Sequence, residues 1–472
     1  MPRPKTPPRA SRSWWLREAL AADPGEPAPP LKGRLRTDVV IVGGGYTGMW
    51  SAYFLKERDP SVDVVLLEQD ICGGGPSGRN GGFLNGFWEE LGLLSEMHGE
   101  AKALEICRTA IESVDEIPAW SERHDVDIWY RRGGDLGVAS SPAQEGRWRE
   151  SMETTRHLGV GEEYRELSAP QVAERCRSPL FGAGVYAPNT AGVQPARLAR
   201  GLRRVLLERG VRIFEGTPVR RFQAGPPATA ETPAGVVSAE RAILGVNAWA
   251  IAWRRFRRAL VVRGSYIVLT APAPDRLEEI GWTGGEGVYD FRTALHYLRT
   301  TPDGRIAFGG AARNPRSERT IGPMFSYDPV ALRQLTEDLR RMFPPFRDVP
   351  IEAGWGGPID IAGAHLPFFG TMRSGNVHYG LGFTGNGVGP CFMGGRILSG
   401  LALGAEDRFT NLPIVDAEPQ RFPPQFMKAP GARVVTRATA RKDRREDAGK
   451  PAGAVTSLFA GLPRRLGYNL GP

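Results

Sequence analysis

The stretch "VVIVGGGYTGMW" holds Gly43, Gly45 and Gly48 in G-x-G-x-x-G spacing, directly after a run of β-branched residues. In that setting the first glycine makes a tight turn and the second lets backbone approach a pyrophosphate. The third lets the following helix pack closely on the strand. Tyr46 and Thr47 open that helix, whose unpaired N–H groups and positive dipole end suit phosphate. Glu68 follows Gly48 by twenty residues and ends "VDVVLLE", where its carboxylate can accept from ribose hydroxyls and disfavours a 2′-phosphate. These residues predict dinucleotide binding.

A second glycine-rich loop follows at once. "EQDICGGGPSGRNGG" places six glycines between Gly73 and Gly82, and with them Gln69, Ser77, Gly78, Arg79, Asn80, Gly81 and Gly82. Glycine loses more conformational freedom on ordering than any other residue, so a cluster after a buried strand implies close approach of backbone to a ligand. A nicotinamide enzyme needs no such second loop. A flavin does, along its pyrophosphate and ring.

The elements that must hold these loops are legible as patterns. "TDVVIV", a helix beginning at the glycine turn, and "VDVVLLE" form a βαβ unit. From Glu89 to about His124 the pattern is helical, and "QPARLARGLRRVLLERG" is an amphipathic helix with Leu198, Leu202, Val205 and Leu206 on one face. "VRIFEGTPVRRF" reads as a strand and turn, with Val219 in the turn. Between Val261 and Gly310 β-ribbons dominate, and "TPDGR" makes "ALHYLRTTPDGRIAFGG" a hairpin. The chain then returns to a Gly-rich strand, loop and helix, "NVHYGLGFTGNGVGPCFMGGRILSGLALG". At 472 residues, two or three domains are expected.

"VVIVGGGYTG", "LLEQDICGGGPSGRNGG" and "GLGFTGNGVGPCFMGGRILSGLAL", in that order, resemble the D-amino-acid-oxidase-like family of FAD-dependent amine and amino-acid oxidoreductases. The segment "SRSWWLREAL" adds a likeness to the γ-glutamylputrescine oxidase and aminophosphonate oxidoreductase subgroup. The resemblance implies an α/β (α+β) fold in which a Rossmann-like FAD domain interleaves with a β-sheet substrate domain, as in glycine oxidase. It assigns 37–90, 190–260 and 350–410 to the FAD domain, and 91–189 with 261–349 to the substrate domain. Residues 1–36 would form a basic, Pro-rich extension, and 411–472 a basic, partly helical tail. It also carries Gly382, Phe383, Thr384, Gly385, Asn386 and Gly387 over as flavin contacts.

For the substrate, the period of two in "ALHYLRTT" puts Tyr297 and Arg299 on one strand face, opposite His296. Facing a flavin, they would suit an anionic amine, with Arg299 clamping a carboxylate or phosphonate. Tyr266 and His365 are further candidates, whereas His378 reads as core. The expected reaction is oxidation of a C–N bond in a small primary or secondary amine or amino acid. A hydride passes to flavin N5 and the imine then hydrolyses. Relatives attach FAD through a cysteine, but none lies between Cys176 and Cys391, so non-covalent FAD is implied. They also use a lysine to promote reaction with O₂, and none lies between Lys102 and Lys428, so the acceptor is O₂ or another.

The formal charge of +9 lives in the tails. Residues 1–36 carry eight Lys/Arg against three Asp/Glu, and 421–472 eleven against three, leaving 42 basic against 46 acidic in the body. An acidic body opposes nucleic-acid binding and with it a tRNA-modifying flavoenzyme. A membrane-surface dehydrogenase would use "GARVVTRATARKDRREDAGK", whose polar face lacks a strong apolar counterpart. Four widely spaced cysteines suggest neither a disulfide framework nor a metal site, and no apolar run spans a bilayer. A cytoplasmic protein is expected.

Overall fold

The two β-branched runs lie side by side: Val39–Val42 of the strand Gly33–Val42 pairs in parallel with Val64–Leu67. Both are buried, which is why they read as continuous apolar runs without alternation. The computed structural model describes residues 12–311 and 321–468. Residues 1–11 of the basic extension and 469–472 of the tail lie outside the described residues.

Two eight-stranded sheets organise the chain. The central path of the first runs Phe368–Thr371, Val377–Leu381, Gly235–Leu244, Gly33–Val42, Val64–Leu67, Arg212–Phe214, and all of these pairings but the first are parallel. The helices Tyr46–Arg58 and Pro390–Leu403 pack together; a Cβ on Gly395 would come within 3.0 Å of the Ser51 nitrogen. The amphipathic helix Pro195–Glu208 buries Leu198, Leu202, Val205 and Leu206, the face read from sequence.

The second sheet is built on the long antiparallel pair Leu260–Thr270 and Ile351–Ala362, followed by Ile306–Ala311, His296–Thr300, Gly287–Asp290 and Asp135–Val138. The expected hairpin closes with Thr300 opposite Ile306, and Gly304 takes a φ of +82° in its turn. The segment 350–410 divides between the sheets: Ile351–Ala362 extends the second, and Phe368–Thr371 begins the return to the first. A strand pairs where a free edge meets it, and sequence does not show which sheet offers that edge.

Both termini carry helices. The helix Trp14–Ala22 buries Trp15, Leu16 and Ala19, and the strand beginning at Gly33 starts before the anticipated boundary. The tail holds the helix Gln425–Asp447. No helix among the described residues is long and apolar enough to cross a membrane, and all four cysteines are free and buried.

Candidate cofactor and substrate site

One cavity of about 1240 Å³ runs between the two sheets. All the cofactor candidates except Gly48, Gly78 and Gly382 line it, as do Tyr297 and His365. Gly48 works from behind: a Cβ there would overlap the carbonyl oxygen of Gly43, so the glycine lets helix and turn touch. Gly78 is buried against Gly73, and the Gly382 N–H donates to Asp360 Oδ2 at 2.6 Å.

Glu68 sits at the end of its strand as expected. Its Oε2 accepts from the Gly44 N–H at 2.8 Å and its Oε1 from the Asp70 N–H at 2.9 Å, while burial pushes its carboxyl up to about 7. Not every N–H of the glycine turn is left for phosphate: Ser77 Oγ accepts from the Tyr46 N–H at 2.9 Å.

The arginine and asparagine among the glycines hold the loop itself. Arg79, 6% exposed, donates from Nε to Gly74 O at 2.8 Å and from Nη1 to Gly356 O at 3.1 Å, which ties the loop to the second sheet. Asn80 donates to Pro76 O and Ser77 O and accepts from the Gly82 N–H at 2.7 Å. The N-terminal helix braces the same loop. Ser13 Oγ donates to Gly78 O at 2.5 Å, and Trp15 lies edge-on to Trp355, whose Nε1 donates to Arg79 O at 2.8 Å. Ser13 and Trp15 are thus part of the cofactor scaffold.

On the opposite side, Thr384 has a φ of +55°, donates to Gly382 O and accepts from the Ala362 N–H. Asn386 Nδ2 donates to Gly86 O at 2.9 Å. Sequence reasoning missed the anchor beneath them. Asp360, wholly buried, accepts from Gly382 N–H and from Asn247 Nδ2, and burial pushes it up to about 7. An acid inside the apolar run "GGPIDIAG" was the available signal.

These features fit FAD. The cavity is large, its walls are glycine backbone, and a Cβ on Gly75 would meet nothing within 4 Å, so the loop borders space that a ligand can fill. Glu68, the turn at Gly43–Gly45, the loop Gly75–Gly82, Val219 and the loop Phe383–Gly387 are the residues that would hold it.

The substrate candidates divide. Tyr297 lines the cavity, bonded through its hydroxyl to Ser265 Oγ at 2.8 Å, and burial pushes it up to about 12. His365 also lines it, in a left-handed turn at φ +63°. Arg299 does not. It shares the Tyr297 face, as the alternation requires, but its guanidinium donates to Val193 O and, at 3.4 to 3.5 Å, to Gly82 O and Gly81 O. It stands behind the glycine loop, and burial lowers it to about 10. Tyr266 is likewise turned away, donating to Met324 O at 2.8 Å within the core. His378 is core, 4% exposed and pushed down to about 4 by burial.

What faces the cavity instead is acidic. Glu89, Glu90 and Asp135 line it together with Tyr289, whose hydroxyl donates to Glu89 Oε1 at 2.6 Å. Burial first, and Glu89 second, push Glu90 up to about 8, and burial pushes Asp135 up to about 7. The adjacent pair in "GFWEELG" was visible in sequence, but acids at a helix start have a commoner explanation in the helix dipole. Arg263 is a cation on the same cavity's wall.

The family described as FAD dependent oxidoreductase matches residues 38–401. Gamma-glutamylputrescine oxidoreductase of Escherichia coli K12 is 28% identical over 407 residues, covering 84% of this chain and 91% of that protein. A probable oxidoreductase of Haemophilus influenzae, OrdL, is 26% identical over 392 residues, 81% of this chain and 86% of its own. Among solved structures, glycine oxidase from Geobacillus kaustophilus superposes with a TM-score of 0.66 at 20% identity, covering 81% of this chain and 99% of that one. L-amino acid deaminase from Proteus vulgaris gives 0.62 at 16% identity over 81% of this chain and 96% of its own.

Proposed function

The chain belongs to the FAD-dependent oxidoreductase family, and from that premise we propose that it oxidises the C–N bond of a small amine that enters as a cation. The family acts on amines and amino acids; the acid-lined cavity narrows the choice. One observation carries this reading: Glu89, Glu90 and Asp135 face the cavity, while Arg299, the expected anion clamp, is spent on backbone carbonyls. A like-charged carboxylate pair binds a proton at neutral pH, and a substrate ammonium can take that proton's place.

Bound FAD supplies the acceptor for the hydride that leaves the carbon bearing the amine. The protein's own residues do the rest. Glu89, steadied by Tyr289, and Glu90 hold the ammonium and receive a proton from it, which leaves nitrogen a free electron pair. Tyr297, fixed by Ser265, forms a wall against which the chain lies. The enclosing sheets exclude water until the imine forms and hydrolyses to a carbonyl.

A gamma-glutamylated diamine, the substrate named for the Escherichia coli relative, carries a carboxylate as well as ammonium groups. Arg263 puts a positive charge on the cavity wall, which supports that finer reading. An ω-aminophosphonate, with one ammonium for the acid pair and one anion for the arginine, is the other candidate that the amine panel tests.

The test is anaerobic bleaching of the purified yellow protein by a panel of monoamines, diamines, gamma-glutamylated diamines, amino acids and aminophosphonates. Diamines and their gamma-glutamyl forms are expected to bleach fastest. Bleaching by anionic amino acids alone would overturn the cation reading. Admitting air or an artificial acceptor to the bleached protein then compares O₂ with other acceptors directly.

A further inference from the structure

The C-terminal helix Gln425–Asp447 lies outside the family match, which ends at residue 401. Residues 421–472 contain only three acids, Asp443, Glu446 and Asp447, among eleven basic residues. Their spacing puts all three on one helix face. That face is turned onto the body: Asp443 is 2% and Glu446 7% exposed.

All three meet one loop. Asp443 accepts from the Thr293 N–H at 3.3 Å and the Ala294 N–H at 3.1 Å. Lys442 Nζ donates to Thr293 Oγ1 at 2.9 Å. Asp447 pairs with Arg292 at 3.1 Å, and Glu446 pairs at 3.3 Å with Arg147, which itself donates to Phe291 O at 2.6 Å. Every residue from Phe291 to Ala294 is thereby held, directly or through Arg147, by the tail. The same loop is a wall of the cavity, lined by Phe291, Thr293 and Ala294, and it leads straight into the strand that carries Tyr297.

We infer that the C-terminal helix is a positioning element of the substrate wall, and that Asp443 sets the conformation of the 291–294 loop against which the amine binds. The backbone N–H groups of Thr293 and Ala294 take their acceptor from outside the loop, so without Asp443 both lose that acceptor. The charge pattern follows: acids of the tail face the body, while Arg433, Arg437, Arg441 and Arg444 are exposed. The inference rests on the amine-oxidising reading of this cavity.

The experiment compares full-length holoprotein with Asp443→Ala by amide hydrogen exchange and by amine titration. Exchange in the peptide spanning 291–295 is expected to accelerate at least about ten-fold, with flavin content and melting temperature little changed. For the amine that bleaches the wild type, KM should rise about ten-fold while kcat falls much less, and Asp443→Asn should recover part of the loss. Unchanged exchange overturns the positioning role. Faster exchange with unchanged KM also overturns it, because the loop would then not shape binding. If Asp443→Ala does not accumulate as yellow protein, Asp443→Asn and Asp447→Asn are read by the same two measurements and the same criteria. If no amine bleaches the wild type, the amine reading fails, while the exchange result still decides whether the tail orders the loop.

Discussion

The cavity's two ends are built on opposite plans. At the cofactor end the wall is backbone: glycines at 43, 45, 75, 81 and 82 face inward, and the side chains among them, Arg79 and Asn80, bond to the loop's own carbonyls. At the substrate end the wall is side chain: Glu89, Glu90, Asp135, Tyr289 and Tyr297 project inward from separate elements. A backbone wall tolerates little substitution, because a Cβ at Gly43, Gly81 or Gly82 collides with the protein and one at Gly75 would enter the space a ligand fills. A side-chain wall can change its chemistry one residue at a time without disturbing the fold. A cofactor common to the family and a substrate that differs among its members match that division.

The comparison breaks most visibly at Gly43. Gly43→Ala, at a φ of +112°, places a methyl group on the Gly245 carbonyl oxygen, and we expect insoluble or colourless protein, scored by flavin absorbance after purification. Fully yellow protein would end the backbone-wall account. At the other end, Glu90→Gln should leave flavin content intact and raise KM for a cationic amine about ten- to hundred-fold. That is the range for losing a charged hydrogen bond worth roughly 1.5–3 kcal/mol. The pH profile gives the sign independently. Glu90 is neutral below about 8, so wild-type binding of a permanently cationic amine should tighten as pH rises towards that value, and the variant should lose the slope.

Arg299→Ala sharpens the division, since this residue supports the glycine loop from the substrate sheet. Charged and uncharged amines should lose kcat/KM alike, and flavin retention should weaken; selective loss for anionic amines would return Arg299 to the substrate. The smallest effect concerns Asp360. Its folded value of about 7 lies above the ordinary 3.8, so the native state keeps a proton that the unfolded chain has released. Its contribution to stability is therefore full below the ordinary value and is lost as pH rises through about 7. Melting of flavin-free protein across that window should show a downward slope that Asp360→Asn reduces.

This contrast also explains what the sequence disclosed. Gly43, Gly45, Gly48 and the Gly73–Gly82 cluster were legible because one residue type alone meets the steric demand, wherever the rest of the chain goes. Strand alternation correctly put Tyr297 and Arg299 on one face. It could not say that Arg299 lies a layer behind the cavity wall, because alternation fixes direction and not depth. Tyr266 failed on direction, since it is its strand neighbour Ser265 that lines the cavity. Glu89 and Glu90 become a site only once Tyr289 and Asp135, distant in sequence, are folded beside them. The acids at 443, 446 and 447 were counted as part of a basic tail, since net charge averages over the faces of a helix.

The brace on the glycine loop carries a consequence for biosynthesis. Arg79 bonds to Gly356 and Trp355 bonds to Arg79, across 277 and 276 residues. On the ribosome, the cradle's first half emerges and waits while the 276 residues that separate it from Trp355 are translated. Contacts between such remote segments form late, because their loop-closure entropy must be met first. The nascent loop, rich in glycine and lacking its brace, is then a poor flavin trap. Cofactor capture is therefore expected only after the partner strand has been made, and supplying flavin during expression should raise the yield of loaded protein without altering the rate at which chains are completed.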